Sequence, residues 1–139
     1  MKQAFHTLEI ETDGPGLYDV TGAAAAFVKR TNLRQGLLTC FIRHTSASLL
    51  IQENADPDVL ADLENFMRRT VSRDPKLYRH TTEGPDDMPS HIRSALTATS
   101  LSIPQQGGEL ALGTWQGVYV FEHRDAPHTR EILLHLIGE

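Results

Sequence analysis

Three groups of residues in this chain could do chemistry. The first is His44-Thr45-Ser46-Ala47-Ser48, followed by Glu53-Asn54-Ala55-Asp56. It sets an imidazole and three hydroxyls at the end of an apolar run. Hydroxyls and backbone N–H groups at such a turn can bind phosphate oxygens. An ordinary polar turn has the same composition, because Ser and Thr also bond to nearby backbone. Glu53 offers a carboxylate, whereas Asp56 has a sufficient structural role as a helix cap. The second group is Tyr78-Arg79-His80 with Ser90-His91-Ile92-Arg93. One histidine sits on a loop and the other opens a helix, a separation that suits two ligands brought together by folding. This is not the HExxH pattern, in which helical register alone aligns two ligands. Asp86 and Asp87 read equally as caps of the following helix. The third group is Gly113-Thr114-Trp115-Gln116-Gly117, then Glu122-His123-Arg124 and Arg130. A Trp between glycines can wall a pocket, with Gln116 as a fixed polar contact. The same string also fits a turn whose Trp covers the core. Arg130 could hold a phosphate or simply stand in solvent.

The elements that must position these groups follow from periodicity. Residues 3–11 alternate as a strand with Ala4, His6, Leu8 and Ile10 on one face. Gly14-Pro15-Gly16 interrupts it, and Asp19 or Thr21 can cap a helix running through Ala23–Ala26 to about Arg30. Residues 36–44 and 46–52 read as two strands that meet at the His44 turn. Asp56-Pro57-Asp58 is a helix start, with a cap, a proline at the first helical position and a carboxylate at the positive end of the dipole. Val59, Leu60, Leu63, Phe66 and Met67 then form one apolar face. Residues 72–87 form a long polar loop of the kind that often carries function. A second helix is expected from Pro89, then strands near 100–104, 108–112, 117–124 and 130–137. In the last strand Ile132, Leu134 and Leu136 share a side. The late run of strands lacks βαβ alternation, which predicts an α+β domain, single and compact, with mixed or antiparallel sheets.

A length of 139 residues fits one domain with one core. The lone Cys40 excludes an intrachain disulfide and fits a reducing compartment. It shares strand parity with Ile42 and His44, as a pocket residue or a small buried one. No apolar run approaches the roughly 20 residues of a membrane span, and no signal-like segment opens the chain. The expectation is a cytoplasmic protein without membrane contact. A formal charge of −5 and the absence of a basic stripe disfavour nucleic acid as a partner. Seven histidines are the suggestive count, because histidine is the usual metal ligand and acid–base group near neutral pH.

The strings HTSAS (44–48), ENADPDV (53–59), YRH (78–80), EGPDDMPSHI (83–92) and GTWQG (113–117), with EHR (122–124) and Arg130, resemble in that order the YjbQ-like family, also called the secondary thiamine-phosphate synthase family. The resemblance implies a YjbQ-like α+β fold, a homotrimer with pockets near subunit boundaries, and weak thiamine-phosphate synthase activity. That reaction joins a pyrimidine-methyl pyrophosphate to a thiazole phosphate and releases pyrophosphate. It also implies a metal, zinc or similar, held by His44, His80 and His91. On this reading His44, His80, His91 and Glu53 are catalytic. Ser46, Ser48, Arg93 and Arg130 hold phosphate, Trp115 stacks on a ring, and Gln116 and Asp87 contact substrate. Glu53 or Asp87 could recruit magnesium with the substrate phosphates. A three-imidazole zinc site also suits hydrolysis, since zinc lowers the pKa of its water to about 7. A metal-dependent hydrolase of a small phosphorylated or cyclic metabolite is therefore an alternative, as is a non-catalytic trimer that binds a metabolite or metal.

Overall fold

The alternating N-terminal segment forms β1 (Lys2–Thr12), which pairs antiparallel along its whole length with the C-terminal β8 (His128–Gly138). The computed structural model describes residues 1–139, and its remaining strands are β2 (Gly16–Asp19), β3 (Gln35–Ile42), β4 (Ala47–Glu53), β5 (Ser100–Gln106), β6 (Glu109–Leu110) and β7 (Gln116–Glu122). The helices are α1 (Thr21–Arg30), α2 (Pro57–Thr70) and α3 (Asp87–Leu96), with a short 3-10 turn at Pro75–Leu77. The strands make two sheets, ordered β1-β8-β3-β5-β6 and β2-β7-β4, and every pairing is antiparallel. The class is α+β, as expected.

The core lies between the two sheets. Leu38, Cys40 and Ile42 of β3 and Ile132, Leu134 and Leu136 of β8 face Ala47 and Leu49 of β4 and Val118 and Val120 of β7. Ala24, Phe27 and Val28 of α1 close it. Full burial of each large apolar side chain contributes roughly 1.5–3 kcal/mol. Cys40 is one of these core residues, and burial pushes its thiol up to about 11. α2 and α3 contact β4 and so cover the other face of the smaller sheet, where Tyr119, Phe121 and His123 are also buried. The expected alternation in residues 117–124 is therefore hidden, because β7 is buried on both faces. The outer face of the larger sheet has no such cover. Phe5, Leu37 and Phe41 are exposed there.

Asp56 caps α2 by accepting the Asp58 N–H at 2.9 Å, with Pro57 at the first helical position, as its sequence predicts. Asp19 accepts the Thr21 N–H at 2.9 Å at the start of α1. Three elements differ from expectation. The segment after Gly16 is a short strand, β2, because it pairs with the otherwise open edge of β7. α3 starts at Asp87 rather than Pro89. The last strand begins at His128, since pairing with β1 extends it past the apolar run. β8 is paired on both sides, and Gly36 opposite Gly138 lets β3 approach it closely. A Cβ at either glycine would run into the backbone of the neighbouring strand. No helix is long and apolar enough to cross a membrane.

Candidate metal centre

The loop after Pro75–Leu77 and the first turns of α3 bring His80, Glu83, Asp87 and His91 together, with one ligand atom from each within 4.8 Å of the others. Asp87 and His91 are four apart on α3 and so share a face. Asp87 Oδ2 lies 2.7 Å from His80 Nε2 and 3.2 Å from His91 Nε2, and Glu83 Oε2 lies 3.3 Å from His80 Nε2. Ligand bonds of about 2.0–2.1 Å around a tetrahedral ion imply ligand–ligand edges of about 3.3 Å. The 3.2 and 3.3 Å separations match that edge, and the 2.7 Å one is a hydrogen-bond length.

Hydrogen bonding orients the His91 ring. Its Nδ1 lies 2.9 Å from the Thr45 carbonyl, which can only accept, so Nδ1 carries the proton. Nε2 then faces the Asp87 carboxylate, to which it can donate a proton or, unprotonated, share a cation. A backbone carbonyl orienting a ligating imidazole in this way is the usual outer support of a metal site. The other oxygen of Asp87 is held by Arg124, whose Nη1 donates to Oδ1 at 2.7 Å. The same guanidinium donates through Nε to Asp86 Oδ2 at 2.8 Å and through Nη2 to the Glu83 carbonyl at 3.1 Å. Asp87 is buried. Burial alone would raise its carboxyl, but the contacts with His80, Glu83, His91 and Arg124 outweigh it and hold it below the usual carboxylate range. The donor set thus fits a divalent transition ion, with two imidazoles and carboxylates rather than three imidazoles.

His44 stands apart from this cluster. Its Nε2 accepts the Glu131 backbone N–H at 2.7 Å, and its Nδ1 lies 3.4 Å from Arg130 Nη1. Burial, and then the Arg130 charge, lower its pKa. His44 and His91 do line one cavity of about 530 Å³, with Phe41, Arg43, Thr45 and Thr99 among its walls. A smaller cleft of about 170 Å³ opens on the His80 side, against Tyr78, Thr81 and Met88.

Arg130 is buried, not exposed, because it shares the inward parity of Ile132, Leu134 and Leu136. It donates through Nε to Glu122 Oε1 at 2.7 Å and through Nη2 to Oε2 at 2.5 Å. Nη2 also reaches Ser46 Oγ at 3.1 Å. Glu122 further accepts from the Thr12 hydroxyl at 2.7 Å and from the His123 and Arg124 N–H groups at 2.9 and 3.1 Å. Burial would raise Glu122, and these bonds together bring it below its ordinary value. Ser48 is fully buried and bonds His123 Nε2 at 2.9 Å. Burial, with help from the nearby Arg93 charge, pushes His123 down to about 4. Arg93 is also buried and its Nε has no partner. Two residues beyond His91, it lies on a different side of α3, towards Glu64 and Arg68.

Glu53, Trp115 and Gln116 gather elsewhere. Glu53 pairs with Gln116 at one end of the β4–β7 ladder, and Ala47 pairs with Glu122 at the other. Six residues of strand separate the two ends by about 20 Å. There Glu53 accepts the Asp56 N–H at 3.2 Å, Gln116 Oε1 accepts the Gly113 N–H at 2.8 Å, and Trp115 is exposed. Within one chain, the Trp turn and the histidine cluster are separate.

Residues 6–139 match the family described as UPF0047 protein YjbQ-like. The chain belongs to this family. It is 54% identical over 138 residues to a UPF0047 protein of Synechocystis sp., covering 99% of this chain and 94% of that one. It is 43% identical over 136 residues to the UPF0047 protein YjbQ of Escherichia coli, covering 96% of each. A conserved hypothetical protein of Thermus thermophilus, known from its crystal structure, superposes with a TM-score of 0.84 at 32% identity, over 95% of this chain and 99% of that one. The UPF0047 assignment thus rests on sequence and fold alike.

Three features of this site were missed by sequence reasoning: Glu83 as a fourth donor, the Arg124 clamp on Asp86 and Asp87, and the buried Glu122–Arg130 pair. The last had a readable signal. Thr12, Glu122 and Arg130 all fall on inward-facing strand parities beside apolar neighbours.

Proposed function

We propose that this UPF0047 protein is a metal-dependent enzyme acting on a small phosphorylated substrate, with thiamine-phosphate synthase as the named reaction to test. The observation that carries it is the His91 geometry. The His91 ring, oriented by the Thr45 carbonyl, presents Nε2 to Asp87 Oδ2 3.2 Å away, with His80 and Glu83 alongside. His80, Asp87 and His91 would hold the ion, with Glu83 in reach, and zinc or a similar ion suits that donor set. The ion would supply Lewis-acid polarisation of a phosphoryl oxygen. Arg124 keeps Asp87 ionised and orients its second oxygen, and the cavity beside His91 offers room for the substrate. In the synthase reaction the protein must steady the departing pyrophosphate and align the two rings. Magnesium arriving on the substrate phosphates is compatible with this scheme.

A hydrolase of a phosphorylated or cyclic metabolite is the second reading. It is favoured by the donor set itself, since two imidazoles and a carboxylate with an open position are a pattern of hydrolytic zinc sites. We also propose a cytoplasmic homotrimer. The uncovered sheet face with Phe5, Leu37 and Phe41 supports an assembly, and Phe41 also walls the cavity, which would then lie near a subunit boundary. Light scattering at several concentrations tests the trimer, and a monomer throughout would rule it out.

The decisive experiment is elemental analysis of wild type, His80→Ala and His91→Ala, with the same samples assayed for pyrophosphate release. Near-stoichiometric metal lost in both variants, with release that needs both substrates together, supports the synthase. Product from one substrate and water supports the hydrolase. A wild type that takes up no metal after incubation with zinc would sink the proposal.

A further inference from the structure

Four donors meet at the cluster, and they cannot all be fixed ligands if the centre does chemistry. A tetrahedral ion with four protein ligands is closed, whereas a catalytic one keeps a position for water or substrate. The four differ in how firmly they are held. Asp87 is the anchor: its side chain is 3% exposed, and Arg124 Nη1 donates to Oδ1 at 2.7 Å while Oδ2 faces the cluster. The Thr45 carbonyl orients the His91 ring through Nδ1. His80 is 45% exposed, but its ring packs against that of His91 with centroids 5.6 Å apart, and its Nε2 lies 2.7 Å from Asp87 Oδ2.

Glu83 has none of this support. Its side chain is 63% exposed, and no donor outside the cluster holds its carboxylate. Oε2 nevertheless stands 3.3 Å from His80 Nε2, the edge expected between two ligands of one tetrahedral ion. Fixing a long Glu side chain there carries one of the larger rotamer-entropy costs. The backbone beneath it is the opposite. Arg124 Nη2 donates to the Glu83 carbonyl at 3.1 Å, and the Asp87 N–H donates to the Gly84 carbonyl at 3.3 Å. Gly84 has a φ of 104°, a conformation that favours glycine, and a Cβ there would meet Asp86 Oδ1 at 3.1 Å. Glu83 is therefore a free carboxylate on a pinned stem. The stem stays in place whether the carboxylate is on the ion or off it.

We infer that Glu83 is a displaceable fourth ligand, which closes the ion in the absence of substrate and yields its position to a phosphoryl oxygen while His80, Asp87 and His91 stay. This deepens the proposed function and rests on it for the metal and for the substrate class. The exchange replaces one anionic oxygen by another, so no charge at the ion is left uncompensated. The loop thereby supplies both the fixed ligand His80 and the movable one.

Cobalt(II) in place of zinc tests this, because its visible spectrum reports the number and kind of ligands. Zinc content and the cobalt spectrum are measured for wild type, Glu83→Ala and His91→Ala, before and during titration with inorganic phosphate. Glu83→Ala should keep near-stoichiometric zinc, while His91→Ala loses it. Without phosphate, the cobalt spectrum of Glu83→Ala should differ from that of the wild type. With saturating phosphate the two should coincide, because Glu83 has then left the wild-type ion. Phosphate should also bind Glu83→Ala at least about threefold more tightly, since nothing competes for the position. Zinc lost from Glu83→Ala would make Glu83 a fixed ligand and overturn the inference. Spectra that agree before phosphate is added would overturn it too, since Glu83 would then never touch the ion. So would spectra that stay distinct, or a wild-type spectrum that does not move, however much phosphate is added. Each of these results leaves the metal reading standing, whereas a wild type that takes up neither zinc nor cobalt defeats both.

Discussion

Replacing Arg130 with Met should be the most destabilising single change near the site. Glu122 is fully buried and Arg130 nearly so, and their bidentate contact uses both carboxylate oxygens. Removing one partner of a buried pair costs about 3–5 kcal/mol, because the other charge stays behind uncompensated. Here Glu122 keeps the Thr12 hydroxyl and two backbone N–H groups. Those three donors place the expected loss at the low end, about 3 kcal/mol. With an unfolding entropy of about 2.1 cal/mol/K per residue, 139 residues give roughly 0.29 kcal/mol/K, and Tm should fall by about 10 °C. The assay is urea unfolding with a matching thermal scan, at one fixed protein concentration because any assembly contributes to the apparent stability. Glu122→Gln and the double variant complete a cycle. The double variant should lose less than the two singles summed, since no ion is left unpaired. A fall of less than 1 kcal/mol in Arg130→Met, or strict additivity in the cycle, would refute the reasoning.

Arg124→Met should lower zinc affinity roughly 10–100-fold, measured by competition with a chelating dye, because it frees Asp87 Oδ1 and lets the carboxylate rotate. His123 should make the fold acid-sensitive. Its folded pKa is pushed from 6.5 to about 4, so between these values the unfolded chain binds the proton and the folded chain does not. Stability is then present above pH 6.5 and lost as pH falls towards 4, by on the order of 3 kcal/mol from this group. His123→Phe should flatten that slope in urea titrations at pH 7 and pH 4.5; an unchanged slope would count against the assignment. Glu122 acts in the same direction at lower pH, because its folded pKa is depressed and its contribution disappears as it protonates. Gly36→Ala should give little folded protein on circular dichroism, since its Cβ would meet the Ile137 carbonyl in β8.

What was legible in the chain is mostly what short-range rules control. The Asp56-Pro57 start of α2, the parity of Ile132, Leu134 and Leu136, and the α+β class all follow from local patterning. The pairing of His80 with His91 was readable from a loop histidine and a helix histidine close in sequence. Arg124 and Arg130 were harder, because each finds its partner through sheet register and loop placement. No spacing in one dimension reports that Arg124 will land on Asp86 and Asp87, nearly forty residues earlier. The expected three-imidazole site fails to form within the chain for a similar reason. The β3–β8 ladder, continued by the Arg43 N–H to the Glu131 carbonyl, sets the His44 ring against the Glu131 N–H and away from the cluster. Likewise Trp115 and Glu53 share a motif order with the histidines, but the antiparallel ladder carries them to its opposite end.

All four donors of the cluster, His80 to His91, come from a stretch of twelve residues. An ion held there would cross-link only small loops, and loop-closure entropy rises by only about 0.6 kcal/mol for each doubling of loop length. Such an ion would act as a local clasp: it would set the shape of one surface segment and leave the packing between the sheets untouched. A chelator should accordingly raise hydrogen exchange across residues 78–91 and spare β3, β7 and β8. The molecule could then be filled, emptied and refilled without ever unfolding.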